Sequence, residues 1–214
     1  MSTQQAEIKA CVCKWLRELV DEPMDVAGFI RRKKSLTYCR ITQGTIQKID
    51  FFIQHHPTEE PNAAAVIYPQ YTVVMDTINK TVQTMTGGDS QLGGNFSITL
   101  HGPIQWTAPR GLEARWYIYQ SDSVPSAVSS IRDFVIKWVL PFLDRFKLPV
   151  DLCNALLEGD NPDIHGMEIL RVVAAKSLSG QHTEAVTIME QWFGKPGLRK
   201  RYQRVFDYLI AQCP

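Results

Sequence analysis

The sequence predicts an α+β fold, an antiparallel sheet of about five strands packed against helices with an all-helical C-terminal extension. Three observations carry that prediction. Two runs rich in β-branched and aromatic residues flank Gln43-Gly44 within Gly28–Gln54, the pattern of a β-hairpin. A hairpin alone buries too little apolar surface to stand in water, so the helices on either side read as its covers. After residue 159 every periodic segment is helical and none is strand-like. The corresponding division is an α+β domain over 1–158 and a helical extension over 159–214 packed on it.

The elements follow in order. Over residues 3–21, Ile8, Cys11, Val12, Trp15, Leu16, Leu19 and Val20 form a single apolar stripe, with Ser2 and Gln5 as a capping box and Pro23 as the stop. In the second arm of the hairpin Ile49, Phe51 and Ile53 share one face, with Lys48, Asp50, Phe52 and Gln54 on the other. That alternation predicts a sheet covered on one side. HHPTEEP at 55–61 is a loop. Strands are expected at 71–79, 96–101 and 116–120, with the glycine-rich loop GGDSQLGG at 87–94 and a turn at Pro109-Arg110-Gly111 between them. From Ser123 to Phe146 the period is helical, with Pro125 near the start and Pro141 placed to kink or split the helix.

Further helices are expected over 149–158, 162–178, 183–193 and 198–211. Asn161 caps the second of these, and Gly159, Gly180 and Gly194 act as stops. The run AAKSLSGQHTEAVTIMEQWF has the rhythm of a tetratricopeptide-like hairpin. One hairpin and a helix fall short of the roughly three repeats a solenoid needs, so these helices read as packed on the sheet domain.

Composition bounds the function. Of the 214 residues 44% are hydrophobic and 21% charged, ordinary for a globular chain, and a formal charge of +1 leaves any charged partner to a local patch. The cysteines at 11, 13, 39, 153 and 213 form no CxxC pair, which fits reduced thiols and a cytoplasmic location. MSTQQAEIK is not a signal peptide, and no apolar run approaches the ~18 residues of a membrane span.

No catalytic motif is present. His55-His56 beside Asp50 is a weak metal candidate, because adjacent strand residues point to opposite faces. Neither a GxSxG elbow, a Walker loop nor a dinucleotide fingerprint occurs, so no cofactor and no metal is assigned. Asp160 and Asp163 read as helix-capping charges, and Glu59-Glu60 as a loop pair. Two basic runs could meet phosphates or an acidic protein: Arg31, Arg32, Lys33 and Lys34 in the hairpin, and Lys195, Arg199, Lys200, Arg201 and Arg204 in the last helix. The competing explanation is solvated charge, which also protects a sheet edge.

One resemblance emerges from these residues. A helix followed by Gly28-Phe29, a basic turn, Tyr38-x-Arg40, Gly44 and Gln47-x-Ile49-x-Phe51 is similar to the opening of a bacterial family of small α+β domains of unknown function. The similarity covers about residues 8–157. It implies no catalytic residues. Through the company such domains keep, it implies a cytoplasmic immunity protein that neutralises a toxin by occluding its active site. The favoured reading is thus a non-enzymatic protein binder, its partner a toxin domain, using Arg31, Arg32, Lys33, Lys195, Arg199, Arg201 and Arg204. One rival is a small enzyme with Arg40, Gln47, Asp50 and His101 on the open sheet face. The other is weak nucleic-acid binding through the basic C-terminal helix, the less favoured partner class.

Overall fold

Around Gln43-Gly44 the chain reverses as its turn chemistry requires. Gln43 (φ 45°) and Gly44 (φ 88°) are both left-handed, the signature of a type I′ turn whose twist matches the strands it joins. Those strands are β2 (Thr37–Thr42) and β3 (Thr45–His55). The computed structural model describes residues 3–32, 35–157 and 166–213. Its sheet runs in the order β1-β2-β3-β4-β5, with β6 also paired to β4. The fold is α+β, with helices following the sheet to the C-terminus.

The first arm of the hairpin differs from its expected form. Ile30–Arg31 forms a separate strand, β1, antiparallel to β2, with Ile30 opposite Cys39 and Arg31 opposite Tyr38. Arg32 N–H donates to Thr37 O (2.9 Å) where the chain turns back. β4 runs from Ala65 to Met75, starting and ending earlier than the expected 71–79, and contains Pro69. The next residues, Asp76–Thr86, form a helix, α3, burying Ile78, Val82 and Met85 at helical spacing, with Asp76 in the first turn. β5 is Leu100–Pro103 and β6 is Trp116–Ile118, each shifted or shortened relative to 96–101 and 116–120. β6 lies antiparallel to β4, with Ala65 opposite Ile118 and Ile67 opposite Trp116.

The helices depart in ways that backbone chemistry explains. The first is α1 (Thr3–Leu19); a short α2 (Asp21–Val26) then takes Pro23 into its first turn, where a missing N–H costs nothing. Within 87–94 a single turn, α4 (Ser90–Gly93), is capped by the Asp89 carboxylate, which accepts from Gln91 N–H (2.8 Å). The helix from Val124 is continuous to Leu143. It is α-helical in α5 (Val124–Phe134), widens to a π turn at Val135–Val139 and resumes as α6 (Leu140–Leu143). Pro141 lacks a donor and crowds the carbonyl of Lys137, so the widened turn is where the proline is accommodated. After α7 (Pro149–Leu157) come α8 (Gly166–Leu178) and α9 (His182–Phe193). Gly159, Asn161, Asp160 and Asp163 lie outside the described residues. The expected helix 198–211 is two, α10 (Pro196–Arg201) and α11 (Gln203–Ile210), separated at Tyr202 (φ −98°, ψ 15°).

Residue contacts divide the chain into two compact units. One comprises Met1–Ile41, Ile46–Thr72 and His101–Asp144; the other comprises Thr42–Thr45, Val73–Leu100 and Arg145–Pro214. The C-terminal helices therefore share a unit with α3, α4 and α7, and neither unit coincides with 1–158 or 159–214. In the first unit, Ile8, Val12 and Leu16 of α1 are buried where α1 packs on α5. In the second, α8 is the central helix, with Ile169 through Ala175 buried among α3, α7 and α9. Among the described residues no helix is long and apolar enough to cross a membrane.

Candidate functional site

The two faces of the sheet in the first unit have different chemistry. On the face toward the helices, Tyr38 meets Phe51 edge-on with ring centroids 5.6 Å apart, Tyr71 meets Phe142 at 5.0 Å and Trp116 meets Phe134 at 5.7 Å. Arg40 and Gln47 belong to this covered face, facing each other across the hairpin. Gln47 Oε1 accepts from Arg40 Nε (2.9 Å) and Nη2 (2.6 Å), while Gln47 Nε2 donates to Leu143 O (2.7 Å). Arg40 Nη1 also donates to Ala27 O (2.9 Å), Nη2 pairs with Asp144 Oδ1 (2.9 Å), and the guanidinium lies 4.4 Å from the Phe29 ring centroid. Both residues are buried. These contacts satisfy a buried charge and tie the hairpin to α2 and α6. The expectation that Arg40 and Gln47 lie on the open face is corrected: they share side-chain parity with Ile49 and Phe51, the dry side of β3.

Tyr38 anchors a second internal cluster. Its hydroxyl donates to Asp21 Oδ1 (2.6 Å), and Asp21 Oδ2 pairs with Arg31 Nη2 (3.1 Å), while Arg31 Nη1 reaches Cys13 O (3.4 Å). Burial first, and then the Asp21 carboxylate, push the Tyr38 phenol well above its usual range. Arg31 thus joins β1 to α1 and α2 and does not stand out as an open binding cation. Arg32 is exposed, and Lys33 lies outside the described residues.

The other side of the sheet is open. Ile30 (72% exposed), Ile41 (73%) and Phe52 (41%) lie there, and Phe52 stacks on Tyr68 at 5.7 Å. Between the apolar ends sit Lys48 and Asp50, the latter accepting from Thr37 Oγ1 (2.5 Å). His101 is exposed on β5 and its Nδ1 is 3.0 Å from Thr72 Oγ1. The four residues proposed to converge therefore separate: Arg40 and Gln47 bond to each other on one face, and Asp50 and His101 each take a local partner on the other.

The second unit carries the other basic run. Arg199 pairs with Glu190 and lies 4.3 Å from the Phe206 ring centroid. Arg201 Nη2 reaches Gln91 O (3.4 Å), and the Arg204 guanidinium occupies the space where a Cβ on Gly87 would stand. Lys195 and Lys200 are exposed. Tyr202, the aromatic within this run, is buried against Phe193 at 4.2 Å and offers no exposed ring for stacking.

Other reactive groups are isolated. Partial burial and the neighbouring His56 lower the pKa of His55, whose Nδ1 has no hydrogen-bond partner among the described residues. Burial raises the Cys153 thiol and lowers Arg171, which donates to Ile98 O (3.0 Å). No group of three or more metal-ligating side chains occurs among the described residues. The sequence reading missed Asp21 and Asp144, the acids that hold Arg31 and Arg40; neither stands near its partner in sequence. No protein-family model, curated protein or solved structure gives a match to the chain.

Proposed function

We propose that this chain is a non-enzymatic binding protein of the immunity type, which presents the open face of its sheet to a toxin domain and covers that domain's active site. The observation that carries the reading is the pattern on that face. Ile30, Ile41 and Phe52 stand out of a sheet whose opposite face is packed against helices, with Lys48 and Asp50 between them. Exposed aliphatic and aromatic groups gathered on one face suit a protein interface, where a few such anchors supply most of the binding energy. The rival enzyme reading relied on four convergent side chains, two of which are engaged in holding the hairpin. A cytoplasmic setting accords with five free cysteines.

The test is co-expression with the product of the adjacent gene, followed by size-exclusion chromatography and calorimetry. Binding should rescue growth, and Ile41→Asp or Phe52→Ser should weaken it at least tenfold while leaving urea unfolding unchanged. A neighbour that is neither toxic nor bound, or binding indifferent to both substitutions, overturns the reading.

A further inference from the structure

We infer that the α10–α11 surface of the second unit holds the phosphodiester backbone of a nucleic acid, without reading its sequence, and that it does so independently of the open sheet face. Residues 195–204 carry Lys195, Arg199, Lys200, Arg201 and Arg204 and no acid. Against a formal net charge of +1, that concentration leaves the rest of the chain net negative. The stretch therefore carries a local excess of positive charge, the footprint that an almost neutral chain needs in order to attract a polyanion.

The geometry adds to the charge count. Among the described residues only Arg199 of this run has an acidic partner, Glu190; Asp207 takes the Gln203 amide (2.7 Å), and Asp89 is occupied in capping α4. Lys195, Lys200 and Arg204 have no ion-pair or hydrogen-bond partner among the described residues. Two of the arginines are nonetheless held in place. Arg204 is exposed, and its guanidinium occupies the space that the missing side chain of Gly87 leaves, while Arg201 rests on Gln91 O. Both guanidinium groups thus converge on the 87–91 turn and are partly ordered before any ligand arrives, which reduces the side-chain entropy lost on binding.

Protein interfaces deplete lysine at their centres and rely on buried aromatic anchors. Here the cations dominate and Tyr202 is turned inward. A partner recognised by repeated phosphate charge fits this composition better than an acidic protein does. With no exposed ring in the run, the contacts are to phosphate and carry no base preference.

The experiment is fluorescence anisotropy of the whole chain with labelled 20-nucleotide single-stranded DNA, RNA of the same sequence and the DNA duplex, from 20 to 200 mM KCl. Three free cations predict a log–log salt slope of about −2 on a single strand. Affinity should vary little between sequences. Lys195→Glu with Lys200→Glu, both exposed, should weaken binding at least tenfold at 50 mM KCl and flatten the slope, with the urea midpoint unchanged. Comparison of the three probes distinguishes single-stranded from duplex ligands. Absence of binding at 20 mM KCl overturns the inference. So does indifference to the double substitution, or displacement of the oligonucleotide by polyglutamate at equal charge concentration.

Discussion

Gln47→Leu is the substitution that most directly tests how the hairpin is held. Gln47 is fully buried, and its carbonyl oxygen takes two N–H donors of Arg40 at 2.9 and 2.6 Å while its amide donates to Leu143 O at 2.7 Å. Leucine fills a similar volume but returns none of these bonds. Two donors of a buried cation lose their acceptor, and the Leu143 carbonyl loses a donor. Hydrogen bonds to a charged group contribute about 1.5–3 kcal/mol each and a neutral one about 1 kcal/mol, so partial relaxation still leaves a cost of about 3–4 kcal/mol. The ion pair to Asp144 is a different matter. Its carboxylate side chain is 49% exposed, so Asp144→Asn should cost under about 1 kcal/mol.

Adding Arg40→Met to Gln47→Leu removes the buried charge whose donors have lost their acceptor, and the double variant should regain part of the single variant's loss. Urea unfolding followed by tryptophan fluorescence reads all of these. The reasoning is refuted if Gln47→Leu costs less than about 1 kcal/mol, if Asp144→Asn costs as much as Gln47→Leu, or if the double variant is less stable than Gln47→Leu alone.

Three further outcomes follow from the same structure. The folded Tyr38 phenol lies above its unfolded value of about 10. The stability it contributes is therefore complete below about pH 10 and declines above it, as only the unfolded chain ionises. Tyr38→Phe should lower the urea midpoint modestly at pH 7 and flatten the alkaline decline between about pH 10 and 12. His55 titrates below its usual value of about 6.5, so its contribution falls as pH drops through that value, and His55→Asn should flatten the acid limb in urea midpoints taken from pH 7 to 5. A Cβ on Gly44 would meet nothing within 4 Å, whereas one on Gly87 would displace only the far end of the exposed Arg204 side chain. Gly44→Ala and Gly87→Ala should then each cost about 1 kcal/mol, the backbone strain of a positive φ, both read as urea midpoints.

What the sequence made legible was local. Gln43-Gly44 specifies its own turn because Gly44 tolerates a positive φ and the flanking residues suit strands, and the α1 stripe is a matter of spacing within one helix. Non-local pairing was not legible. Nothing between Gly28 and Thr42 announces that Ile30 will face Cys39, so a strand, a turn and a strand read as one arm. The expected strand 71–79 ran on past Met75 into Asp76–Asn79, where Thr77 and Ile78 are β-branched; these residues are helical because Ile78, Val82 and Met85 are buried together at that period. One signal was present and unused. A two-residue turn at 43–44 places Arg40 opposite Gln47 on the same face, and Gln47 has the parity of Ile49 and Phe51. Register and parity together mark both residues as covered and set Asp50 on the other side.

The two basic runs look alike as strings of lysine and arginine, and the fold treats them differently for a reason that bears on function. An arginine beside a helix end or a carboxylate on a neighbouring element becomes structural, as Arg31 does between Asp21 and the Cys13 carbonyl, and Arg40 does among Ala27, Gln47 and Asp144. Their charge is answered inside the protein, and a passing anion would have to compete with bonds already made in a partly dry site. In the C-terminal run only Arg199 is answered by an acid among the described residues; Arg204 packs on a glycine and Arg201 on a carbonyl, contacts that orient a guanidinium without neutralising it. Orientation without neutralisation separates a binding cation from a structural one. By that criterion Arg31 and Arg40 hold the fold, while Lys195, Lys200, Arg201 and Arg204 present charge that an outside anion can use.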